Sequence, residues 1–356
     1  MFSVLLFLVI LSVLVLAHEA GHYVAARIAK VKVEEFGLGF PPRIFSWKNK
    51  NGMTWSLNAI PLGGFVKLKG ESGDERAAHD SFARQSLAKR FFVLVAGVGM
   101  NLVTAAVIFG VGFVIGMPTI VDGGIAGGTV SNQDIRVIEV LPDSPASQAG
   151  ILVGDKLVGI DGVAYTSSTA ARDALSLSAP HTVTFARGDV EVVATLDPTF
   201  IPSLNRAVVG LGLVETGTVR FPWYAAPFMG IRAAASSTWQ VLSAFGVLLA
   251  SPFTHANIGA EVSGPIGIAV LTGEVAKLGI AHVLQFAAML SINLAIINIL
   301  PIPALDGGRV AFLALEAIRR KPTTPRVEQM VHAAGFAVLL LLIVVVTLKD
   351  IVGLFS

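Results

Sequence analysis

The sequence predicts an α-helical polytopic membrane protein with four transmembrane helices, an inserted α+β domain and a membrane-associated β-hairpin. Three observations carry that prediction. Of 356 residues, 54% are hydrophobic and only 14% are charged, against roughly 25% charged in soluble domains. Four uncharged runs, 1–17, 91–118, 280–305 and 329–348, reach or approach the ~18–20 residues needed to cross a bilayer. Between the second and third runs the pattern changes to short alternating stretches punctuated by Gly, Pro and Asp, the signature of strands and turns.

The first run continues helically through a polar motif to about Ala26, giving a span over 1–28. No basic region precedes it, so it is expected to be a retained span and not a signal peptide. Residues 29–90 follow as a cytoplasmic or membrane re-entrant β-hairpin region, in which 53–69 alternate and carry glycines, as a β-hairpin would. The second span is placed at 91–118, the inserted domain at 125–215, the third span at 280–308 and the fourth at 329–350. Residues 220–260 open on Phe221-Pro222-Trp223-Tyr224, and Ser236, Ser237, Thr238, Gln240 and Ser243 interrupt their apolar positions. An amphipathic helix lying in the membrane interface is expected there. There are 12 Lys/Arg from Arg27 to Arg90 and 5 from Asp306 to Arg326, but only 8 over the longer segment from Met117 to Ala281. Basic loops face the cytoplasm, which puts the N-terminus and the inserted domain outside. A net charge of +2 without a dense Lys/Arg cluster excludes a nucleic-acid partner. The absence of cysteine excludes disulfides and thiolate metal ligands.

His18-Glu19-Ala20-Gly21-His22 reads H-E-x-x-H. On a helix, positions i and i+4 share a face, so His18 and His22 can offer two imidazoles to one metal ion with Glu19 beside them as a base. A catalytic zinc site ordinarily has three protein ligands and an open position. The third is sought as a carboxylate at the end of a hydrophobic span. Asp306 is the first charged residue after the third run. Pro301 and Pro303 break that helix, and Gly307-Gly308 are expected to let the chain turn sharply after the acid. Taken alone, Asp306 reads rather as a helix cap at a membrane boundary; the H-E-x-x-H motif turns the reading toward a ligand.

The inserted domain reads as a strand over 134–140, a short capped helix over 144–150, a strand after Gly154-Asp155, a helix over 169–178 and a hairpin over 181–196 turning at Gly188-Asp189. The order S-P-A-x-x-A-G-[IL]-x-x-G-D, ending in I-D-G, resembles a bacterial PDZ domain. The resemblance implies that Val208-Val209-Gly210-Leu211-Gly212-Leu213 is the carboxylate-binding loop with the strand after it, in permuted order, and that the ligand is a peptide C-terminus.

Together, H-E-x-G-H in the first span, N-x-x-P-x-P-x-L-D-G-G in the third, the Gly37-Leu38-Gly39 and 60–67 stretches and Ser263-Gly264-Pro265 resemble the bacterial site-2 proteases over nearly the whole chain. Those are intramembrane zinc metalloproteases. The resemblance implies His18, His22 and Asp306 as ligands of Zn2+ and Glu19 as catalytic base. It also implies substrate contacts at Asn298, Pro301 and Pro303, with Asn293 a nearby polar position, and at Gly64 and Phe65 on a membrane re-entrant hairpin that pairs with substrate. Implied substrates are single-span membrane proteins of the anti-sigma-factor type, cut after a first cleavage, and remnant signal peptides, in the cytoplasmic membrane. The chain is similar to single-PDZ members and departs from those with two in tandem. If His18 and Asp306 share a metal they sit at one depth, which excludes 233–260 as a fifth span. The alternative reading is a catalytically silent PDZ-bearing membrane scaffold, against which the intact set of His18, His22, Asp306 and Glu19 argues; a transporter would show an internal repeat of broken helices, and the sequence shows none.

Overall fold

The first apolar run folds as one uninterrupted helix, α1 (Phe2–Ile28), which ends where Lys30 takes a left-handed conformation at φ 63°. This is seen in a computed structural model that describes residues 2–50, 52–71, 75, 78–121, 125, 127–176, 179–188, 190–201, 206–254, 264–321 and 323–353. Two long strands follow, β1 (Val33–Lys48) and β2 (Thr54–Leu68), and then α2 (Leu87–Ile115). The strands do not form the simple hairpin expected within 53–69. Residues 35–38 of β1 lie between two parts of β2, pairing with 64–67 on one side and 54–57 on the other. Residues 43–48 of β1 return to pair with 54–58. The two strands therefore make a folded sheet four segments wide. The sequence disguised β1 because Gly37, Gly39 and Pro41-Pro42 read as strand breakers; in the fold they sit where the register shifts.

The inserted unit, residues 113–226, is compact in its own right. It comprises β3 (Met117–Ile120), β4 (Thr129–Val140), α3 (Pro145–Gln148), β5 (Lys156–Ile160), α4 (Ser168–Leu175), β6 (His181–Arg187), β7 (Val190–Leu196), β8 (Thr199–Ile201), β9 (Arg206–Val208) and β10 (Leu211–Arg220). Six of these strands form one sheet in the order β3-β10-β4-β5-β6-β7. The sheet and the two short helices enclose a core around Val137, Ile160, Val183, Phe185, Leu196 and Leu213, each at most 1% exposed. Ser144 caps α3 by accepting from the Ser147 N–H, and Pro145 stands at its first turn, as helix-start chemistry demands. Each element expected over 134–196 is present among the described residues; residues 177–178, at the end of the helix expected over 169–178, and Asp189 of the β6–β7 turn lie outside them.

The other compact unit joins 1–112 to 227–356. After β10 come α5 (Ala226–Thr254), α6 (Pro265–Lys277), α7 (Ile280–Ile299), α8 (Asp306–Arg319) and α9 (Pro325–Gly353). Residues 255–260 of the expected interfacial helix, and Ser263, lie outside the described residues. Among the described residues, α1, α2, α7 and α9 are the helices long and apolar enough to cross a membrane, and α5, at 29 residues, is not one of them. The protein is a polytopic membrane protein with four such helices and an inserted α+β unit. The third run ends as a helix at Ile299, ahead of Pro301 and Pro303 as expected, but the chain does not turn at Gly307-Gly308. Those glycines lie inside the first turn of α8, and α6 was not expected at all.

Candidate active site

Helix periodicity alone brings His18 and His22 to one face of α1, their ring centroids 4.8 Å apart. α8 delivers Asp306 at its first position, 288 residues further along the chain from His18. His18 Nε2 lies 3.0 Å from Asp306 Oδ2, His22 Nε2 lies 3.2 Å from the same oxygen, and the two Nε2 atoms are 3.2 Å apart. Donors bonded to one tetrahedral zinc at ~2.0–2.1 Å would be separated by about 3.3 Å, so the three atoms stand close to the edges of such a tetrahedron.

Hydrogen bonding shows what this cluster is built to hold. His22 Nδ1 donates to the Val93 carbonyl at 2.8 Å. A carbonyl only accepts, so Nδ1 carries a proton, and the neutral ring that a metal ligand requires then presents its lone pair at Nε2. That lone pair faces a carboxylate oxygen and another imidazole nitrogen. Three lone pairs converging at about 3 Å repel one another unless a cation stands between them. Two nitrogens and a carboxylate oxygen are zinc donors, so the residues present fit the metal.

The surroundings are cut to the rings. At Gly97 on α2, a Cβ would run into His22 Nε2 and the His18 ring. At Gly21, a Cβ would strike the Ala96 carbonyl of α2, so the glycine lets α1 and α2 approach closely. The fully buried Asn101 places its amide 3.2 Å from His18 Nδ1, and its main-chain carbonyl accepts from Ser291 Oγ at 2.8 Å. Amide oxygen and nitrogen are assigned from the bonding network. With His18 Nε2 committed to the cluster, its Nδ1 carries a proton and Asn101 Oδ1 is its acceptor, which also satisfies an oxygen otherwise buried without a partner among the described residues. Sequence reasoning passed over Asn101. Its signal was an isolated amide in the apolar run 91–118, where polar side chains are expensive.

An open cavity of about 410 Å³ adjoins the cluster. Its lining includes His18, Glu19 and Asp306, with Leu11, Val15 and Leu294 as apolar wall. Of the residues implied as substrate contacts, Gly64 and Asn298 line this cavity; Gly64 also packs close to the Glu19 side chain. Phe65, its neighbour, lays its ring over Gly37 of β1. Asn293 is half-buried on α7 and Pro301 is exposed, and neither lines the cavity. Pro303 packs against Gly308 and Gly335.

α8 is held in place from three directions. A Cβ on Gly307 would collide with the Leu300 and Ile299 carbonyls, and one on Gly308 with the Ile302 carbonyl; the glycines are needed for close approach to the end of α7. Arg309, one turn into α8, is paired with Glu71 beyond the end of β2, and Glu71 also accepts from the Leu68 N–H at 3.0 Å. Arg90 of α2 donates from Nη1 to both carboxylate oxygens of Glu316, at 2.9 and 3.1 Å.

An H-E-x-x-H helix and a distant carboxylate gathered beside a cavity within apolar helices define a membrane-embedded zinc metallopeptidase. The chain belongs to Peptidase family M50, the site-2 proteases, whose model matches residues 6–342. It is similar to a protein of Rhizobium meliloti (strain 1021) named for zinc metalloprotease activity, 33% identical over 98% of this chain and 96% of the relative. A similarly named protein of Clostridium perfringens (strain 13 / Type A) is 33% identical over 96% of each chain. The zinc metalloprotease RasP of Geobacillus kaustophilus is 28% identical over 98% of this chain and 97% of that one. Among solved structures, the PDZ domain of the SdrC-like protein of Listeria monocytogenes aligns at 25% identity, covering 24% of this chain and 92% of that domain, with a TM-score of 0.22. The protein is a zinc metalloprotease whose cofactor is Zn2+.

Proposed function

We propose that this protein is an intramembrane endopeptidase, cutting peptide bonds within the transmembrane segments of single-span proteins. The observation that carries the reading is the placement of His18, His22 and Asp306: the two histidines stand on α1, a helix of membrane-crossing length, and meet Asp306 at the start of α8, beside a cavity whose lining includes the apolar Leu11, Val15 and Leu294. His18, His22 and Asp306 would hold the zinc, which supplies Lewis-acid polarisation of a carbonyl and a more acidic water. Glu19, on the cavity wall, takes the proton of the attacking water and passes it to the departing amide nitrogen.

A helical substrate must unwind before its backbone is accessible, and in lipid the freed N–H and C=O groups need partners. Two features of this chain can provide them. Asn298 offers an amide donor and acceptor at the cavity. Residues 64–67 of β2 pair with β1 on one side only among the described residues, so Gly64 and Phe65 lie on an edge to which an extended substrate can add as a strand. Pro303 shapes the segment leading to Asp306, while Asn293 and Pro301 would touch parts of the substrate outside the cavity.

By the Lys/Arg asymmetry, the chain lies in the cytoplasmic membrane with its N-terminus and inserted unit outside and its zinc near the cytoplasmic face. The 208–213 loop, with Gly210 at φ 82°, would bind the new C-terminal carboxylate left by a first protease. Anti-sigma-type proteins and remnant signal peptides are the substrates this arrangement suits. The test is zinc content and cleavage of a single-span substrate in detergent or liposomes. Wild type holds zinc and cuts within the span; Glu19→Gln holds zinc without cutting; Asp306→Asn loses both. Equal cleavage by all three, cleavage outside the span, or a wild type without zinc overturns the proposal.

A further inference from the structure

We propose that His332, on α9, is a positioning residue for Asp306, acting through the backbone of Ala304; the proposal rests on the zinc-peptidase reading of the site. Ala304 lies two residues before Asp306, lines the same cavity, and has φ 79°. For a residue with a Cβ, that left-handed conformation is strained and persists only when the surroundings impose it. The imposing contact is visible. The Ala304 N–H donates to His332 Nδ1 at 2.9 Å. The other hydrogen bonds described for 300–305 run to neighbours within the same stretch of chain, so this one ties the segment to another element. Three residues along α9, Gly335 lies against Pro303 with no room for a Cβ. α9 thus holds the connection on two successive residues, by a hydrogen bond and by a close backbone approach.

Because Nδ1 accepts, the ring is neutral with its proton on Nε2, and Nε2 is buried with no partner among the described residues. The imidazole spends a polar group in this place for a single bond. Without it the Ala304 N–H is left unsatisfied, the backbone relaxes toward negative φ, and Asp306 swings away from the two imidazoles.

The test uses the full-length protein in detergent, with zinc affinity measured by chelator competition and thermal unfolding measured alongside. Asn carries an acceptor where Nδ1 sits, and Gln carries one only further out. His332→Gln should bind zinc about tenfold or more weakly, as loss of ligand-orienting partners does, while His332→Asn stays within about threefold of wild type. Adding Ala304→Gly to His332→Gln should recover part of the loss, since glycine takes this φ without strain. Gly335→Ala, which presses on Pro303 and leaves His332 intact, should also weaken zinc binding, and it serves if His332→Gln does not fold. Asn and Gln variants of equal affinity, no recovery with Ala304→Gly, or wild-type affinity in Gly335→Ala would each overturn the proposal. A wild type that binds no zinc defeats the peptidase reading itself; zinc in the wild type with none of these differences defeats only the role of His332.

Discussion

The two halves of the proposed zinc site are built by opposite means. His18 and His22 owe their relation to one helix: i and i+4 on α1 face the same way whatever the rest of the chain does. Asp306 owes its place to tertiary contacts. It follows a break at Leu300–Leu305, a left-handed Ala304, and two glycines pressed against the carbonyls at the end of α7. The difference predicts different failures. Damage to the helix-borne half should harm metal binding and spare the fold, and damage to the other half should harm both.

The largest effects come from the chemistry itself and set the scale. Replacing His18, His22 or Asp306 by Ala should abolish zinc binding and cleavage together, measured by metal content and by cleavage of a single-span substrate. Glu19→Gln should keep zinc and lose roughly 10²–10⁴-fold in rate, the usual contribution of a positioned base. A glutamine variant that lost its metal would show that Glu19 is a ligand.

Gly97→Ala and Gly307→Ala then put the comparison to a direct test. Alanine at Gly97 thrusts a methyl at the two imidazoles, yet in a helix it is favoured over glycine by roughly 0.5–1 kcal/mol. Zinc affinity should fall with little loss of thermal stability. Alanine at Gly307 meets the Leu300 and Ile299 carbonyls, which cannot rotate aside as a side chain can. Overpacking of that kind costs about 1–3 kcal/mol, so melting temperature and zinc affinity should fall together. Equal stability losses at the two glycines would remove the distinction.

That same division decided what could be read from the sequence. His18, Glu19 and His22 were legible because local periodicity places them, and the inserted domain because its turn residues sit at fixed offsets: Ser144 caps α3 and Gly150 closes its end at φ 71°. Asp306 was legible only as a charge at the end of an apolar run, and its setting was misjudged. Gly307 and Gly308 read as a turn because glycine signals conformational freedom; here they serve close packing within α8, which no local pattern reveals. The course of β1 within the expected 29–90 hairpin region was hidden for a related reason, since Gly37 and Gly39 look like breakers until the chain that packs over them is known. Asn101 and His332 are single polar residues in apolar runs, and only the three-dimensional neighbour gives each a meaning.

Asn101 sharpens the comparison from the helix-borne side. Asn101→Leu leaves the His18 Nδ1 proton without its acceptor in a dry site, while the ring stays on its helix. Zinc affinity should drop about 10–100-fold, measured by chelator competition, with α1 and α2 still folded by circular dichroism. A Leu variant with wild-type affinity would mean that packing alone orients His18.

The smallest expected effect tests the other half. Glu71 reaches from the end of β2 to Arg309, one helical turn past Asp306, and ties the sheet to α8. Both side chains retain some exposure, 21% for Glu71 and 38% for Arg309, and a partly solvated ion pair contributes on the order of 0–1 kcal/mol. Glu71→Gln keeps the side chain's shape and its acceptor for the Leu68 N–H but removes the charge. If α8 is held by the sum of the glycine contacts, His332 and this pair, zinc affinity should fall by no more than about fivefold, which is what ~1 kcal/mol allows. A loss as large as that of Gly307→Ala would make the ion pair, and not close packing, the principal restraint on Asp306. The sheet that carries Gly64 to the cavity would then also set the geometry of the metal.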